Sequence, residues 1–371
     1  VPEASPLVEI IRKRLNSGDL PFREFMELAL YHPAAGYYST AKPRVGKGGD
    51  YVTSPTLSPL FAFAVARLIR EVLGRAGDGV STIVDIGCGD GTLIHSLYEE
   101  FPAGSPAPAW YGVDRSLSRV ERRGPVHFVE SLTEVPAAGS HILLANELFD
   151  ALPFARVVQR EEGLHELCVT ERDGELDWSE RPAPAEYRDY FAARGIELQV
   201  GQFADISPEW ERTYEAMCRF LTRGLVVVFD YGHPEKQLFD GRVRRFGTAA
   251  SYRGQRVSRE LLADPGERDL TAHINFTDLI RAGEREGLAT LFFDRQAKFL
   301  LALGAAEHQS LRPIEDMTAD TLDDGLRALE AREDARRMLL PDGIGEDIRV
   351  LVQAKGLDVN GWSFQRELFR R

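Results

Sequence analysis

Residues 83–93 read Ile-Val-Asp-Ile-Gly-Cys-Gly-Asp-Gly-Thr-Leu: an apolar run meets an acid, then three glycines fall at every second position. Gly87 and Gly89 let a backbone pass close to a ligand, and Gly91 allows tight entry into a following helix. Such a turn serves a dinucleotide, a nucleoside, a phosphate or a plain bend. The dinucleotide fingerprint G-x-G-x-x-G is broken, because position 92 is Thr92. Asp85 is a poor neighbour for a pyrophosphate, but it suits a ligand carrying an ammonium and a sulfonium. Asp114 ends the next apolar run, Trp-Tyr-Gly-Val-Asp, where a carboxylate can accept both hydroxyls of a ribose. Ser131 and Leu132 follow the third run and can border an adenine. An acid before the glycines and a ribose acid after the second strand form the S-adenosylmethionine pattern. The competing reading is a tight turn and a surface Asp.

Residues 145–153, Ala-Asn-Glu-Leu-Phe-Asp-Ala-Leu-Pro, hold the second constellation. Asn146, Glu147 and Asp150 put an amide and two carboxylates on one turn after a fourth apolar strand. Two carboxylates can bind the fork of a guanidinium, localise its charge away from an attacking nitrogen and receive the released proton. Asn146 can position the nucleophile. Helix capping accounts for one of the three at most. Tyr231 and His233 end a later strand, and Asp269, Thr271 and His273 lie in Asp-Leu-Thr-Ala-His-Ile-Asn-Phe. These place Tyr231, His233 and His273 toward the substrate. The bland alternatives are a structural histidine and a helix-capping network around Asp269 and Thr271. Tyr37, Tyr38 and Tyr51 line a lid or anchor a loop. Lys42, Arg44 and Lys47 read as solvated charges. The run Gly-Arg-Val-Arg-Arg-Phe at 241–246 is exposed or touches an acidic partner.

Positioning these groups requires a particular scaffold. Short apolar strands near residues 81–87, 110–114, 126–131, 141–147 and 223–232 alternate with helical stretches. That alternation implies an α/β fold, a doubly wound open sheet covered on both faces. Helical spacing over 7–31 and a Gly/Pro/aromatic loop form an N-terminal cap, residues 1–60. The core spans 61–304. Around 155–205, polar and apolar residues alternate about Glu-Gly and Asp-Gly turns, an inserted antiparallel β excursion. A second insertion covers 233–272. Residues 289–304 read as two closing strands, and 305–371 as a charged helical extension.

Bulk composition narrows the partners. The chain has 371 residues, 43% of them hydrophobic, and a formal charge of −13. That charge argues against a nucleic-acid phosphate backbone and is compatible with a basic substrate. Cys88, Cys168 and Cys218 are too scattered for a disulfide framework, and no ligand spacing predicts a metal. No apolar run is long enough to insert in a membrane. A cytoplasmic location is expected. Because the chain opens at Val1, a lost targeting segment stays open.

Gly-Asp-Tyr-Val-Thr-Ser-Pro (49–55), the glycine turn, Asn146–Pro153, Phe229–Gly232 and Asp269–Phe276 occur in that order. In this series the chain resembles the MidA-type S-adenosylmethionine-dependent methyltransferases, from about Gly36 to Gly304. That family includes the mitochondrial complex I assembly arginine methyltransferase. The resemblance implies a Rossmann-like methyltransferase sheet and S-adenosyl-L-methionine as cofactor. It further implies a protein substrate, with a respiratory complex subunit as one candidate. Thr53, Ser54 and Pro55 would wall the cofactor, Gly87 and Gly89 would lie under its methionine part, and Asp114 would hold the ribose. Asn146, Glu147 and Asp150 would stand beside the methyl group. The family usually has Glu-Leu-Gly-Pro-Gly-Arg-Gly where Asp85–Gly91 stands here, Glu at Thr56 and Glu at Asp114. The acid exchanges keep the charge, whereas Thr56 loses it.

The expected function is therefore methyl transfer to arginine on a protein partner. Its rivals are a small-molecule acceptor and a non-catalytic, S-adenosylmethionine-binding assembly factor. A nicotinamide dehydrogenase is disfavoured by Asp85 and Thr92. The oligomeric state is open.

Overall fold

The structure, a computed structural model, describes residues 6–40, 42, 44–46, 48–76, 80–101, 108–312, 322–358 and 360–366. In chain order the elements that build the site are α1 (Pro6–Leu15), α2 (Phe22–Tyr31), α3 (Pro59–Ala76), β1 (Val80–Ile86), α4 (Thr92–Glu99), β2 (Ala109–Val113), β3 (Val126–Val129) and β4 (Ser140–Asn146). They continue with α5 (Pro208–Phe220), β5 (Gly224–His233), α6 (Phe276–Arg285), β6 (Ala289–Arg295), α7 (Gln296–Ala302), α8 (Leu322–Leu339) and β7 (Ile348–Lys355).

The central sheet runs β6-β7-β5-β4-β1-β2-β3, with the two-residue strand Ile274–Asn275 paired beside the end of β5. Strands β1 to β5 are mutually parallel, and β7 lies antiparallel between β5 and β6. Successive side chains of a strand point to opposite faces, so each apolar strand feeds two cores. Ile83, Ile142, Leu144, Val227 and Phe229 pack with α3, α4, α7 and α8. Val84, Ile86, Leu143, Ala145, Val226 and Val228 pack with α1, α2, α5 and α6. Coverage on both faces is why these strands read as unbroken apolar runs.

The sheet order reverses at β1, whose neighbours are β2 on one side and β4 on the other. Register aligns Ile86 with Val113 and with Ala145, so the ends of β1, β2 and β4 share one edge. A crevice at such an edge is where open α/β sheets bind ligands.

The first insertion is an antiparallel ribbon: Ala155–Arg160, Gly163–Arg172, Glu175–Pro182 and Phe203–Ile206, joined at its edge by Leu20–Pro21. The second forms a small antiparallel sheet of Ala250–Arg253, Arg256–Ser258 and Asp269–Thr271. Buried Asp205 ties the two together, accepting from Arg156 at 2.7 Å, Thr248 N at 2.6 Å and Ala249 N at 2.8 Å.

Two sequence expectations are corrected. Residues 296–302, read as part of a closing strand, form α7. The segment 305–371, read as helical, supplies β7 to the interior of the sheet.

Candidate active site

At the reversal edge lies a cavity of about 1260 Å³. Its floor is the turn after β1, residues 85–93. Its walls include Asp114 to Ser116, Glu130 to Leu132, Thr53, Pro55 and Thr56, Asn146 to Leu148, and Tyr31, Tyr38 and Tyr51. Away from these it continues between α2, the ribbon and α5, past Leu152, Glu166, Arg181 and Met217.

Gly87 holds φ at +75°, and a Cβ there would meet Leu148 Cδ1 at 2.7 Å. Both conditions exclude a larger side chain. The turn is fixed by bonds from Gly87 N to Val113 O at 2.8 Å and from Gly89 N to Asp114 Oδ2 at 2.9 Å. Asp114 Oδ1 also accepts from Ser116 N at 3.0 Å. The ribose-position acid and the glycine turn are thus one rigid unit. Ser131 caps a short helical turn, accepting from Thr133 N at 3.2 Å, and Leu132 lies beside it.

Asp85 is 2% exposed, and its Oδ2 is buried without a hydrogen-bond partner. Burial, reinforced by Asp114 and Asp90, pushes its carboxyl up to about 8. An acid in that condition is stabilised as a carboxylate by an incoming cation.

Glu147 sits at φ +50°, strained for a non-glycine residue, with its N–H donating to Phe229 O at 2.8 Å. Its Oε1 accepts from Ser54 N and from Asn146 Nδ2, each at 3.4 Å. Burial and then Asp150 push Glu147 up to about 8. Asn146 Oδ1 is a second buried acceptor without a partner. Ser54 is fully buried and bonded through its hydroxyl to Gln296 of α7, so it stands behind the lining formed by Thr53 and Pro55.

Asp150 does not line the cavity. It is buried behind Glu147, where burial, Asp230 and Asp269 raise its carboxyl well above the usual range. Asp230, fully buried, accepts from Phe149 N and Tyr231 N, each at 2.8 Å, and so clamps the Asn146–Pro153 turn to β5. Asp269 accepts from Tyr38 Oη at 2.7 Å and is pushed to about 6 by burial. It is 3% exposed and outside the cavity lining, and it does not cap α6 as the capping alternative allowed: Asn275 does, accepting from Thr277 N at 3.1 Å.

Tyr231, His233 and His273 also lie outside the cavity lining. They form a ring cluster, with His273 stacked on Tyr231 at 6.2 Å and tilted against His233 at 5.3 Å. Ile274–Asn275 pairs in parallel with Gly232 and His233, extending the sheet at the end of β5. Burial, then Arg244, lowers His233 to about 3 and His273 to about 4. Both are neutral near pH 7. Arg44 is corrected as well: it is 6% exposed, paired with Asp50 at 3.3 Å and stacked 4.2 Å from the Tyr37 ring centroid. Lys42 pairs with Glu267, and Lys47 lies outside the described residues. Sequence reasoning missed Asp230 and Tyr31, the latter donating to Ala151 O at 2.9 Å.

A rigid glycine turn, a ribose-position acid, an orphaned acid for an ammonium and a carboxylate beside them match the site of a methyl donor. Residues 64–293 match the sequence profile of an S-adenosyl-L-methionine-dependent methyltransferase family. The chain belongs to that family. The mitochondrial protein arginine methyltransferase NDUFAF7 of Danio rerio is 27% identical over 316 residues, covering 74% of this chain and 71% of that protein. Its Homo sapiens counterpart is 25% identical over 343 residues, 82% of this chain and 75% of its own. A Burkholderia thailandensis protein crystallised with S-adenosyl-homocysteine superposes with a TM-score of 0.85 at 27% identity, covering 96% of this chain and 94% of that one.

The enzyme uses S-adenosyl-L-methionine, and the residues present fit it. Asp85 Oδ2 is an acceptor awaiting a donor, and a Cβ at Gly89 would meet nothing within 4 Å, so the turn faces open space. Among the described residues, no helix is long and apolar enough to cross a membrane.

Proposed function

We propose that this methyltransferase acts on an arginine guanidinium of a protein partner. One observation carries the reading: Glu147 is fixed at the cavity wall next to the glycine turn, with further buried acids behind it. The bound cofactor supplies an electrophilic methyl group.

The chain's own residues meet the remaining requirements. Thr53, Pro55, Gly87, Gly89, Asp114, Ser131 and Leu132 hold the cofactor, and Ser54 backs that wall. Asp85 takes its ammonium. As the guanidinium docks, Glu147 gives up its own proton to solvent and, as the carboxylate, accepts an N–H from it, while Asn146 Oδ1 accepts another from the attacking nitrogen. After transfer the nitrogen sheds a proton, and the carboxylate of Glu147 receives it. Asp150 and Asp230 support Glu147 from behind, holding its turn and keeping its proton affinity high. Thr56, where the resembling family has Glu, leaves Glu147 as the acid nearest the Thr53–Pro55 wall.

A protein acceptor agrees with the cavity. Its volume exceeds the ~300–1,000 Å³ of small-molecule pockets, and the side chains of Glu24, Glu27 and Arg181 along its far arm are 52%, 45% and 47% exposed. The choice of arginine is supported by the similarity to protein arginine methyltransferases.

The test is incubation of the purified protein with a cofactor-depleted lysate and donor labelled in its methyl group. Labelled methylarginines in the protein hydrolysate are expected, and Glu147→Gln should lower their yield about 100-fold or more while cofactor binding persists. Label confined to small molecules or to another side chain overturns the arginine reading.

A further inference from the structure

Four arginines line the cavity: Arg23, Arg115, Arg119 and Arg181. Three already have carboxylate partners, Arg23 with Glu209 at 3.2 Å, Arg115 with Glu27 at 2.8 Å and Arg181 with Glu166 at 2.7 Å. Arg119 differs. Among the described residues no carboxylate reaches it at ion-pair distance, and its Nε is buried with no hydrogen-bond partner. Its guanidinium stands 5.5 Å from the centroid of the Tyr38 ring. The fields of Asp114 and Asp269 both act with it, so it lies between the ribose-position acid and the tyrosine wall.

Arg119 is half-buried, and a cavity-lining guanidinium whose buried Nε lacks an acceptor and which touches no carboxylate is open to an anionic ligand. Apart from Arg115, which is paired with Glu27, the other charged side chains around the turn are acids: Asp85, Asp90, Asp114, Glu130 and Glu147. The cofactor brings the complementary set, two cations in its ammonium and sulfonium and one anion in its α-carboxylate. We propose that Arg119 binds the α-carboxylate of S-adenosyl-L-methionine, as a fork whose plane is held against Tyr38.

With the ammonium on Asp85 and the carboxylate on Arg119, both polar arms of the amino-acid end are fixed, and that sets the direction of the sulfonium's methyl group. Arg119 is thus a positioning residue. It belongs to the same loop as Asp114, so one loop after β2 grips both ends of the cofactor. A lysine retains the charge but loses the planar fork.

The experiment is titration calorimetry with three ligands: S-adenosylhomocysteine, its decarboxylated analogue, and methylthioadenosine, which lacks the whole amino-acid end. The wild type should bind S-adenosylhomocysteine about 10- to 100-fold more tightly than the decarboxylated analogue, the range for a charged hydrogen-bonded contact. Arg119→Met should remove that preference and leave methylthioadenosine affinity unchanged, with Arg119→Lys between. A wild type indifferent to decarboxylation overturns the proposal, and that measurement needs no variant to fold. An Arg119→Met protein that keeps the preference, or loses affinity equally for all three ligands, overturns it as well.

Discussion

Asp85 and Glu147 are acids whose surroundings hold a proton near pH 7, each raised to about 8 chiefly by burial. A cation must displace that proton, so cofactor binding and proton release are coupled. Affinity for S-adenosylhomocysteine should therefore rise with pH toward about 8 and then level. Calorimetry in buffers of differing ionisation enthalpy should show a proton released below that point. Asp85→Asn should lose about 1.5–3 kcal/mol of binding, the worth of a hydrogen bond to a charged group, and flatten the pH dependence. An unchanged slope would assign the proton elsewhere. At this scale the sequence was legible where chemistry is local. The glycines, Asp85, Asp114 and Glu147 sit in short motifs whose strand-turn context fixes their aim. Asp230 was not, because the partner that gives it its role, Phe149 N, lies on the turn after β4 and meets it only through the pairing of β4 with β5. Tyr231, His233 and His273 were placed by the rule that strand ends face the ligand, but β5 runs past the level of Asn146 to His233 and pairs there with Ile274–Asn275, so its tip lies beyond the cavity lining.

Among elements, the apolar strands and the ribbon were readable, the latter from a turn in which Asp173 and Gly174 take φ of +53° and +83°. The closing elements were not. Residues 296–302, Gln-Ala-Lys-Phe-Leu-Leu-Ala, are mostly apolar, and periodicity over so short a run does not separate a buried strand from a buried helix. Phe299 and Leu300 are fully buried, and the solvent face of α7 is only Lys298 and the apolar Leu301, 40% exposed, too little polarity to betray a helix. β7 hid behind the charged α8. Phe229 of β5 joins these parts, its ring 4.9 Å from Phe61 of α3 and 5.9 Å from Phe299 of α7. Phe229→Ala should destabilise the fold by about 3–5 kcal/mol, read as a lower denaturant midpoint with an unchanged slope. A loss under 1 kcal/mol would mean this layer repacks. At the start of the same strand, a Cβ on Gly224 would fall 1.8 Å from His141 O, with φ at +133°. Gly224→Ala should prevent β5 from pairing with β4 and leave no soluble folded protein.

For the whole molecule, the buried acids set a pH response. Asp85, Glu147 and Asp230 rise to about 8 in the folded state, against about 4 when unfolded. The folded form thus binds more protons across that interval, and its stability falls as pH rises through it. His233 and His273 act oppositely, being lowered to about 3 and about 4. Their contribution is complete above about 6.5 and is lost as pH falls through those folded values. Between pH 6.5 and 8.5 the acids act alone, so the ligand-free midpoint of thermal unfolding should decline there. Saturating S-adenosylhomocysteine should raise it at every pH by mass action, most at the alkaline end, where Asp85 is already ionised. A ligand-free midpoint that climbs with pH would show that other groups dominate.

The position of β7 also bears on how the protein is made. A ribosome must extend the chain to Lys355 before the sheet interior can close, because β7 is the strand that joins β5 to β6. Until then β5 and β6 each present an open hydrogen-bonding edge to solvent or to a chaperone. At about 5–20 residues per second, the nascent chain spends many seconds in that state. The methyl-donor cleft, lined from Pro21 to Met217, thus has all its walls synthesised well before the strand that completes the sheet beneath them.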